Sequence, residues 1–199
     1  YESEDGQSFT YKNRFTDPEI GNMWECPDLF EIDGQYFLVF SPENLKEYPR
    51  PNSNAAIMPV NFDEETCTMS KAGDLMFIDY GFDFYAPQTF LDENGKRTML
   101  GWMRMKEVLE GEEWIGLFTM PRHLTHKEGH VYQDVHPLIK NTFVHETDTI
   151  DFDQPFLLKT TLEDNETITL GGLSISYKED HLVVDRTSTS VNNDDAYNI

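Results

Sequence analysis

Apolar residues along this chain come in short runs or alternate with polar residues, and Gly, Pro, Asn and Asp bound most of these segments. Residues 35–40, 98–103 and 173–177 are examples. Alternation with a period of two predicts half-buried β-strands, and short apolar runs between turn residues predict buried ones. A helical period is nearly absent. We therefore expect an all-β protein, built as a propeller, a sandwich or a barrel.

Three segments contain turn signals. Those at residues 92–95 and 127–129 predict β-hairpins, and residues 33–34 predict a turn before the next strand. Each contains a glycine, which accepts a positive φ at little cost and so favours a tight turn between strands. The strands beside them are expected at residues 35–40, 90–91, 98–103, 123–125 and 130–132. Later strands are expected at residues 156–159, 167–170, 173–177 and 181–185.

A shift in composition at residues 141–154 predicts a domain boundary. All three Trp residues precede it, whereas the strands after it are simpler and alternate Thr with Leu, Ile and Val. We place the boundary near Glu146, which gives domains at residues 1–145 and 146–199. The second piece is small for an independent sandwich, and we expect the chain to be truncated at both ends.

Composition and charge narrow the function classes. The 199 residues include 14 Phe and 9 Tyr, which favour a packed core over a disordered acidic tail. The formal net charge of -22 argues against binding nucleic acid through its phosphates and against an anionic membrane surface. The charge is compatible with neutral ligands that are rich in hydroxyl groups. No apolar run approaches the length of a membrane span.

Cofactors and metals have no support in the sequence. There is no glycine-rich phosphate loop and no dinucleotide fingerprint. His123, His126 and His130 cluster in sequence, but a structural role is the commoner meaning of such residues, and we expect no metal site. Cys26 and Cys67 form neither a disulfide framework nor a Cys-x-x-Cys pair, which favours a reducing, cytoplasmic compartment.

Glu25 is the first candidate for chemistry. It lies between Trp24 and Cys26 and opens an apolar run. Partial burial of a carboxyl group against an aromatic ring favours its protonated form, which suits a general acid near neutral pH. The alternative is a glutamate at the end of a strand that is hydrogen-bonded to nearby backbone.

Two further segments combine carboxylates with aromatic rings. Residues 79–88 contain Asp83 and Tyr85, and Trp102 follows Gly101 on a predicted strand. Sugars are bound by carboxylates that accept hydrogen bonds from hydroxyls and by rings that pack on C–H faces. The alternatives are core aromatics at a sheet edge for the first segment and a core residue for Trp102.

These segments together resemble glycoside hydrolase family 32, the β-fructofuranosidases. The similar stretches are Trp-Glu-Cys-Pro-Asp-Leu-Phe at residues 24–30, Asp-Tyr-Gly-Phe-Asp-Phe-Tyr-Ala-Pro-Gln at residues 79–88, and Gly-Trp-Met at residues 101–103. Their order and spacing also match, and residues 119–133 and 176–186 look like later parts of that family. The resemblance implies a five-bladed β-propeller followed by a β-sandwich, with a sugar pocket at one end of the propeller channel.

The resemblance also implies an activity and roles for four residues. The activity is hydrolysis of terminal β-D-fructofuranosides with retention, in sucrose, sucrose 6-phosphate or fructans, and the partner is a small carbohydrate. Glu25 matches the acid/base of the family, and Asp83 and Tyr85 match residues around the fructosyl unit. Trp102 matches an aromatic residue that lines the pocket.

One departure from the family matters more than the matches. The nucleophile of the family is the Asp of an Asn-Asp-Pro motif, and this chain has no such motif. A second Asp of the family, in an Arg-Asp-Pro motif, stabilises the fructosyl hydroxyls and lies several tens of residues before the Glu-Cys motif. Asp17 precedes a proline but lies only eight positions before Glu25, so we interpret it as a turn residue. We therefore expect a fragment that lacks the N-terminal blades and that has no sucrose-hydrolysing activity alone.

Two alternatives stay open beside the fragment of an enzyme. The first is a non-catalytic module of the same fold that binds fructans or another protein. The second is a relative of the neighbouring five-bladed families that act on arabinans or xylans, although the segment at residues 24–28 speaks against it. Sucrose-6-phosphate hydrolase is the favoured subgroup, and Arg104 is either a phosphate contact or an ordinary surface residue.

Overall fold

A computed structural model describes residues 1–45, 55–81 and 83–190 of the chain. In this part, every regular secondary-structure element except one short helix is a β-strand. The strands are β1 Met23–Ile32, β2 Gln35–Glu43, β3 Ala56–Asp63, β4 Thr68–Lys71, β5 Met76–Phe77, β6 Phe84–Leu91, β7 Arg97–Met103, β8 Leu117–Phe118, β9 Arg122–Lys127, β10 His130–Val135, β11 Thr167–Leu170, β12 Leu173–Lys178 and β13 His181–Asp185. A single turn of helix, α1, spans Pro137–Lys140. The predicted all-β class is confirmed.

The strands form three antiparallel sheets. The first sheet has the order β1-β2-β3-β4, with β5 also paired to β3. The second has the order β10-β9-β7-β6, with β8 also paired to β7, and the third has the order β11-β12-β13. Blades of a β-propeller are four-stranded antiparallel sheets of this kind. The first two sheets therefore have the form of propeller blades, while a total of five blades stays a prediction.

The hairpins follow from the turn residues. Asp33 and Gly34 have φ of 51° and 81° between β1 and β2, and Glu128 and Gly129 have φ of 52° and 82° between β9 and β10. Two successive residues with positive φ make a type I′ turn, whose twist matches that of the strands it joins. Gly95, with φ of 72°, closes the longer turn between β6 and β7. Both predicted hairpins are confirmed, and the predicted turn at residues 33–34 joins two paired strands as well.

The main core lies where the first two sheets pack on one another. Side chains on β2 alternate between two faces, so Phe37 and Val39 point towards the second sheet, whereas Leu38 and Phe40 join a separate cluster on the other face. The residues of the main core are Phe30, Ile32, Phe37, Val39, Ala55, Ile57, Ile78, Phe84, Met99 and Leu124. This packing fixes β6 against β1 and β2.

One predicted strand is wrong. Residues 156–159 form no strand, and every residue from 141 to 161 is exposed. A strand needs a neighbour for its N–H and C=O groups, and no described strand pairs with this stretch. Phe156 instead contacts the ring of Phe152, with 5.8 Å between ring centroids. The predicted boundary at Glu146 falls within this exposed segment and stays a prediction.

The described residues contain no helix long and apolar enough to cross a membrane.

Candidate active site

Two bulged strands meet at the candidate site. The register of β1 against β2 shifts between Glu25 and Asp28, and that of β6 against β7 shifts between Tyr85 and Gln88. The second residue of each bulge has a positive φ, 50° in β1 and 47° in β6, and a proline follows it in both. A bulge bends its strand and re-aims the side chains beside it. Here the two bulges turn Glu25 and Tyr85 towards each other.

Hydrogen bonds hold the two bulges together across the sheets. Both the backbone N–H and the hydroxyl of Thr89 donate to Oδ2 of Asp28 at 2.7 Å. Nε2 of Gln88 donates to the carbonyl of Cys26 at 2.9 Å. The partners in these bonds are 61 or 62 positions apart in sequence, so they join the first sheet to the second.

The centre of the site is the hydroxyl group of Tyr85. Its oxygen lies 2.6 Å from Oε2 of Glu25 and 2.9 Å from Oε1 of Glu43. Tyr85 is buried, with 8% of its surface exposed. Burial, followed by the hydrogen bonds to Glu25 and Glu43, raises the pKa of Tyr85 well above its ordinary value. The phenol therefore stays protonated and serves the carboxylates as a donor.

The expected burial of Glu25 against Trp24 is wrong. Neighbouring residues in a strand point to opposite faces, so Trp24 turns inward while Glu25 is exposed. Trp24 donates from Nε1 to the carbonyl of Ile20 at 2.6 Å, and its ring centroid lies 4.7 Å from that of Phe40. The aromatic partner of Glu25 is instead Tyr85, 60 positions away in sequence.

Trp102 lies beside Tyr85. The two residues pair across β6 and β7, and their ring centroids are 6.4 Å apart in an edge-to-face arrangement. Trp102 is 43% exposed, so it does not occupy a core position. A Cβ atom on Gly116 would lie 2.3 Å from Nε1 of Trp102, which shows why a glycine stands under the indole. The exposed ring favours a platform next to Tyr85 over a core residue.

Asp83 forms an ion pair with an arginine that follows the last strand of the third sheet in the chain. Its Oδ2 pairs with Nη1 of Arg186, which follows β13, and both side chains are largely buried. The other oxygen, Oδ1, is buried and has no hydrogen-bond partner among the described residues. The backbone N–H of Arg104 donates to the carbonyl of Asp83 at 2.9 Å. Asp83 makes no hydrogen bond to Glu25 or Tyr85 in the described part.

A second arginine adds positive charge next to the phenol. The guanidinium carbon of Arg104 lies 5.3 Å from the centroid of the Tyr85 ring, within the range of a cation–π contact. Sequence reasoning considered Arg104 but missed Arg186 and Glu43. The sequence offers one signal for Glu43, which is its position as a polar residue at the end of an apolar strand. Polar residues at strand ends are too common for this signal to identify a site residue.

Other candidates from the sequence have structural roles. Oδ1 of Asp17 accepts from the N–H of Glu19 at 3.0 Å, as expected of a turn residue. The ring of His126 packs on that of Phe37, with 5.1 Å between centroids. The described residues contain no group of three or more His, Cys, Asp or Glu that could hold a metal ion.

Comparison with known proteins identifies the family. The family model described as the glycosyl hydrolases family 32 N-terminal domain matches residues 1–135. This match covers both blade-like sheets and every residue of the candidate site except Arg186. The chain therefore belongs to glycosyl hydrolase family 32.

The curated relatives are longer than this chain. Sucrose-6-phosphate hydrolase of Vibrio alginolyticus is 37% identical over an alignment of 153 positions that covers 71% of this chain and 31% of that protein. Sucrose-6-phosphate hydrolase of Staphylococcus xylosus is 39% identical over an alignment of 121 positions that covers 58% of this chain and 24% of that protein. The chain thus spans about a quarter to a third of the length of these two relatives.

Solved structures support the fold. Sucrose-6-phosphate hydrolase from Lactobacillus gasseri aligns over 96% of this chain and 45% of its own, with a TM-score of 0.70 and 22% identity. A mutant of a family 32 β-fructofuranosidase from Bombyx mori, solved in complex with sucrose, aligns over 88% of this chain and 43% of its own, with a TM-score of 0.65 and 25% identity.

Proposed function

We propose that this chain supplies the acid/base part of the active site of a β-fructofuranosidase, which hydrolyses terminal β-D-fructofuranosides such as sucrose 6-phosphate or sucrose. The observation that carries the proposal is the contact between the Tyr85 hydroxyl and Glu25 at 2.6 Å, with the exposed indole of Trp102 beside it. Sucrose-6-phosphate hydrolases at 37% and 39% identity support this class of substrate.

Glu25 has the exposure and the donor that an acid/base residue needs. It would protonate the departing glycosidic oxygen and then deprotonate water in the second half-reaction. Between the two steps Glu25 is a carboxylate, and a hydrogen bond from Tyr85 stabilises that form. The raised pKa of Tyr85 keeps its proton on the phenol, so Tyr85 donates throughout the cycle.

A retaining mechanism needs a second carboxylate about 5–5.5 Å from the acid/base, which acts as the nucleophile. Glu43 is the second carboxylate near Glu25, and the Tyr85 hydroxyl lies within 3 Å of both. Because the Glu43 carboxylate is engaged by the phenol, we assign it no role as the nucleophile. With no Asn-Asp-Pro motif in the sequence, we expect no turnover of sucrose by this chain alone.

The sugar contacts are assigned to three residues near Tyr85. Trp102 offers an exposed, flat apolar face. Asp83 is assigned from its family motif, and its Oδ1 atom, which is buried, must be uncovered before a sugar hydroxyl can donate to it. Arg104 offers a cation within a protein of net charge -22, where a phosphorylated substrate needs local positive charge. A phosphate contact from Arg104 would favour sucrose 6-phosphate over sucrose.

Ligand binding to the 199-residue chain tests these assignments. Saturation-transfer NMR with sucrose and sucrose 6-phosphate should show contacts that Trp102→Ala removes. Trp114→Ala is the matched control, since Trp114 is 44% exposed and Trp102 43%. We expect Arg104→Gln to weaken sucrose 6-phosphate roughly 10-fold or more while sparing sucrose, because a charge-assisted contact contributes about 1.5–3 kcal/mol. Equal losses in both tryptophan variants would contradict the assigned pocket.

Hydrolysis is measured separately. We expect no release of fructose or glucose from sucrose or sucrose 6-phosphate by the purified chain. Clear turnover that Glu25→Gln abolishes would refute the expectation about the nucleophile, while it would support Glu25 as acid/base. Turnover that survives Glu25→Gln would contradict the assignment of Glu25.

A further inference from the structure

The Tyr85 hydroxyl faces one acceptor more than it can serve. Its oxygen lies within hydrogen-bond distance of Glu25 at 2.6 Å and of Glu43 at 2.9 Å. A phenol has a single proton to donate. When both glutamates are carboxylates, the hydroxyl therefore donates to one of them at a time. The other carboxylate then faces the lone pairs of the phenol oxygen.

Glu43 is held in place by its backbone. It pairs with Met23 at the end of the β1–β2 ladder, and its carbonyl accepts from the N–H of Asn22 at 3.1 Å. Gly21 packs directly on this carbonyl, since a Cβ atom there would lie 2.1 Å from the carbonyl oxygen. The segment before β1 thus clamps the residue that presents the second carboxylate.

The other charged groups around this centre are already engaged or lie farther away. Asp28 on β1 accepts two hydrogen bonds from Thr89, and Asp83 before β6 pairs with Arg186. The Cys26 thiol, next to Glu25, is exposed.

From the β7 side, Arg104 approaches the ring of Tyr85, 5.3 Å from its centroid, and Trp102 contributes an uncharged edge. Glu25 and Glu43 are therefore the two carboxylates that compete for the hydroxyl.

We propose that Glu43 is a positioning residue that shares the Tyr85 hydroxyl with Glu25, and that the hydroxyl turns from Glu43 to Glu25 when Glu25 gives up its proton. The role rests on the proposed function of Glu25 as acid/base. The phenol proton stays on Tyr85, and the hydroxyl hydrogen only rotates about the Cζ–Oη bond from one carboxylate to the other. The proton of Glu25 goes to the departing oxygen and is regained from water, so the cycle balances without an added reactant.

Glu43 gives the Tyr85 hydroxyl a second acceptor, so that the hydroxyl does not have to donate to Glu25 throughout the cycle. A hydroxyl that donated permanently to Glu25 would favour its carboxylate form and oppose the protonated form that the first step needs. A second acceptor lets the hydroxyl point away from Glu25 until the proton has left. The Tyr36 hydroxyl donates to Glu64 and to no second carboxylate among the described residues, so it is a one-carboxylate counterpart within the same chain.

NMR of the chain labelled with ¹³C at tyrosine Cζ tests the sharing without any substrate. The Tyr85 signal is assigned by its loss in Tyr85→Phe and followed from pH 3 to 8. We expect two steps in its chemical shift, one for each carboxylate. Glu43→Gln and Glu25→Gln should each leave one step, because each variant removes one of the two carboxylates that face the hydroxyl.

Glu64→Gln is the matched control, because it removes a carboxylate from a tyrosine hydroxyl elsewhere in the chain. It should alter the Tyr36 signal and leave both Tyr85 steps unchanged. A single Tyr85 step that Glu43→Gln does not affect would overturn the proposal, as would equal changes in Glu64→Gln. If Glu43→Gln fails to fold, Glu43→Asp keeps the charge but draws the oxygen back, and it should reduce the second step by at least half.

The outcome is independent of the sugar-binding and hydrolysis experiments. Two steps without sugar binding would leave the sharing intact and refute the proposed function. Sugar binding together with a single step in the Tyr85 chemical shift would support the proposed function and refute the sharing.

Discussion

The contact between Asp28 and Thr89 should carry much of the stability that holds the first sheet to the second. Oδ2 of Asp28 receives two hydrogen bonds at 2.7 Å, and Thr89 lies 61 positions away. A hydrogen bond to a charged group contributes about 1.5–3 kcal/mol, and a part-buried donor left without its partner costs about 1–3 kcal/mol. We therefore expect Asp28→Ala to lower the free energy of unfolding by about 2–3 kcal/mol, and Asp28→Asn, which keeps an acceptor, by about 1 kcal/mol.

Urea unfolding followed by tryptophan fluorescence measures these losses, with the free energy obtained by linear extrapolation. Asp63→Ala is the matched control. Asp63 accepts from the same two donors of a threonine, Thr66, at 2.8 and 2.9 Å, but within one exposed turn. Water replaces that acceptor readily, so the control should lose far less. If Asp28→Ala and Asp63→Ala lose equal stability, the argument that this carboxylate joins the sheets is wrong.

Two further predictions concern packing and pH. Gly101→Ala should destabilise the chain by about 1–3 kcal/mol in the same urea assay, because its Cβ would lie 2.3 Å from the ring of buried Phe84; unchanged stability would show that the ring moves freely. The N–H of Lys96, 2.7 Å from Oδ1 of Asp92, holds the pKa of Asp92 below its ordinary value, with a smaller contribution from His136. A lowered folded-state pKa adds stability that is complete above about pH 4 and is lost as the pH falls through the folded-state value. Melting temperatures measured from pH 7 to 3 should therefore fall less steeply in Asp92→Asn than in the parent chain, and parallel curves would contradict this cause.

The strands and hairpins could be predicted because their signals are local. A period of two along 98–103 reports a half-buried strand whatever it packs on, and two residues at 33–34 suffice to choose a type I′ turn. The failure at residues 156–159 has the same origin. The pattern there suits a strand, but whether a neighbour stands beside it cannot be seen in the local sequence.

The site could be predicted only in part. Glu25 and Tyr85 lie in unusual segments and resemble a known family, so both were candidates before the structure. Their hydrogen bond depends on two bulges, each at a residue that precedes a proline. The burial of Glu25 against Trp24 was expected because the residues are neighbours in sequence, and it is wrong because neighbours in a strand face opposite ways.

Local residue chemistry therefore established the class of fold, the hairpins and half of the candidate site. The packing of the first sheet on the second brought Glu43 to Tyr85, and the chain that follows β13 brought Arg186 to Asp83. Both contacts join residues far apart in sequence. Glu43 meets Tyr85 across 42 positions and Arg186 meets Asp83 across 103. No pattern within one strand encodes such a partner. For Tyr85 and Glu43 the contact exists because burial of the main core packs the first sheet on the second.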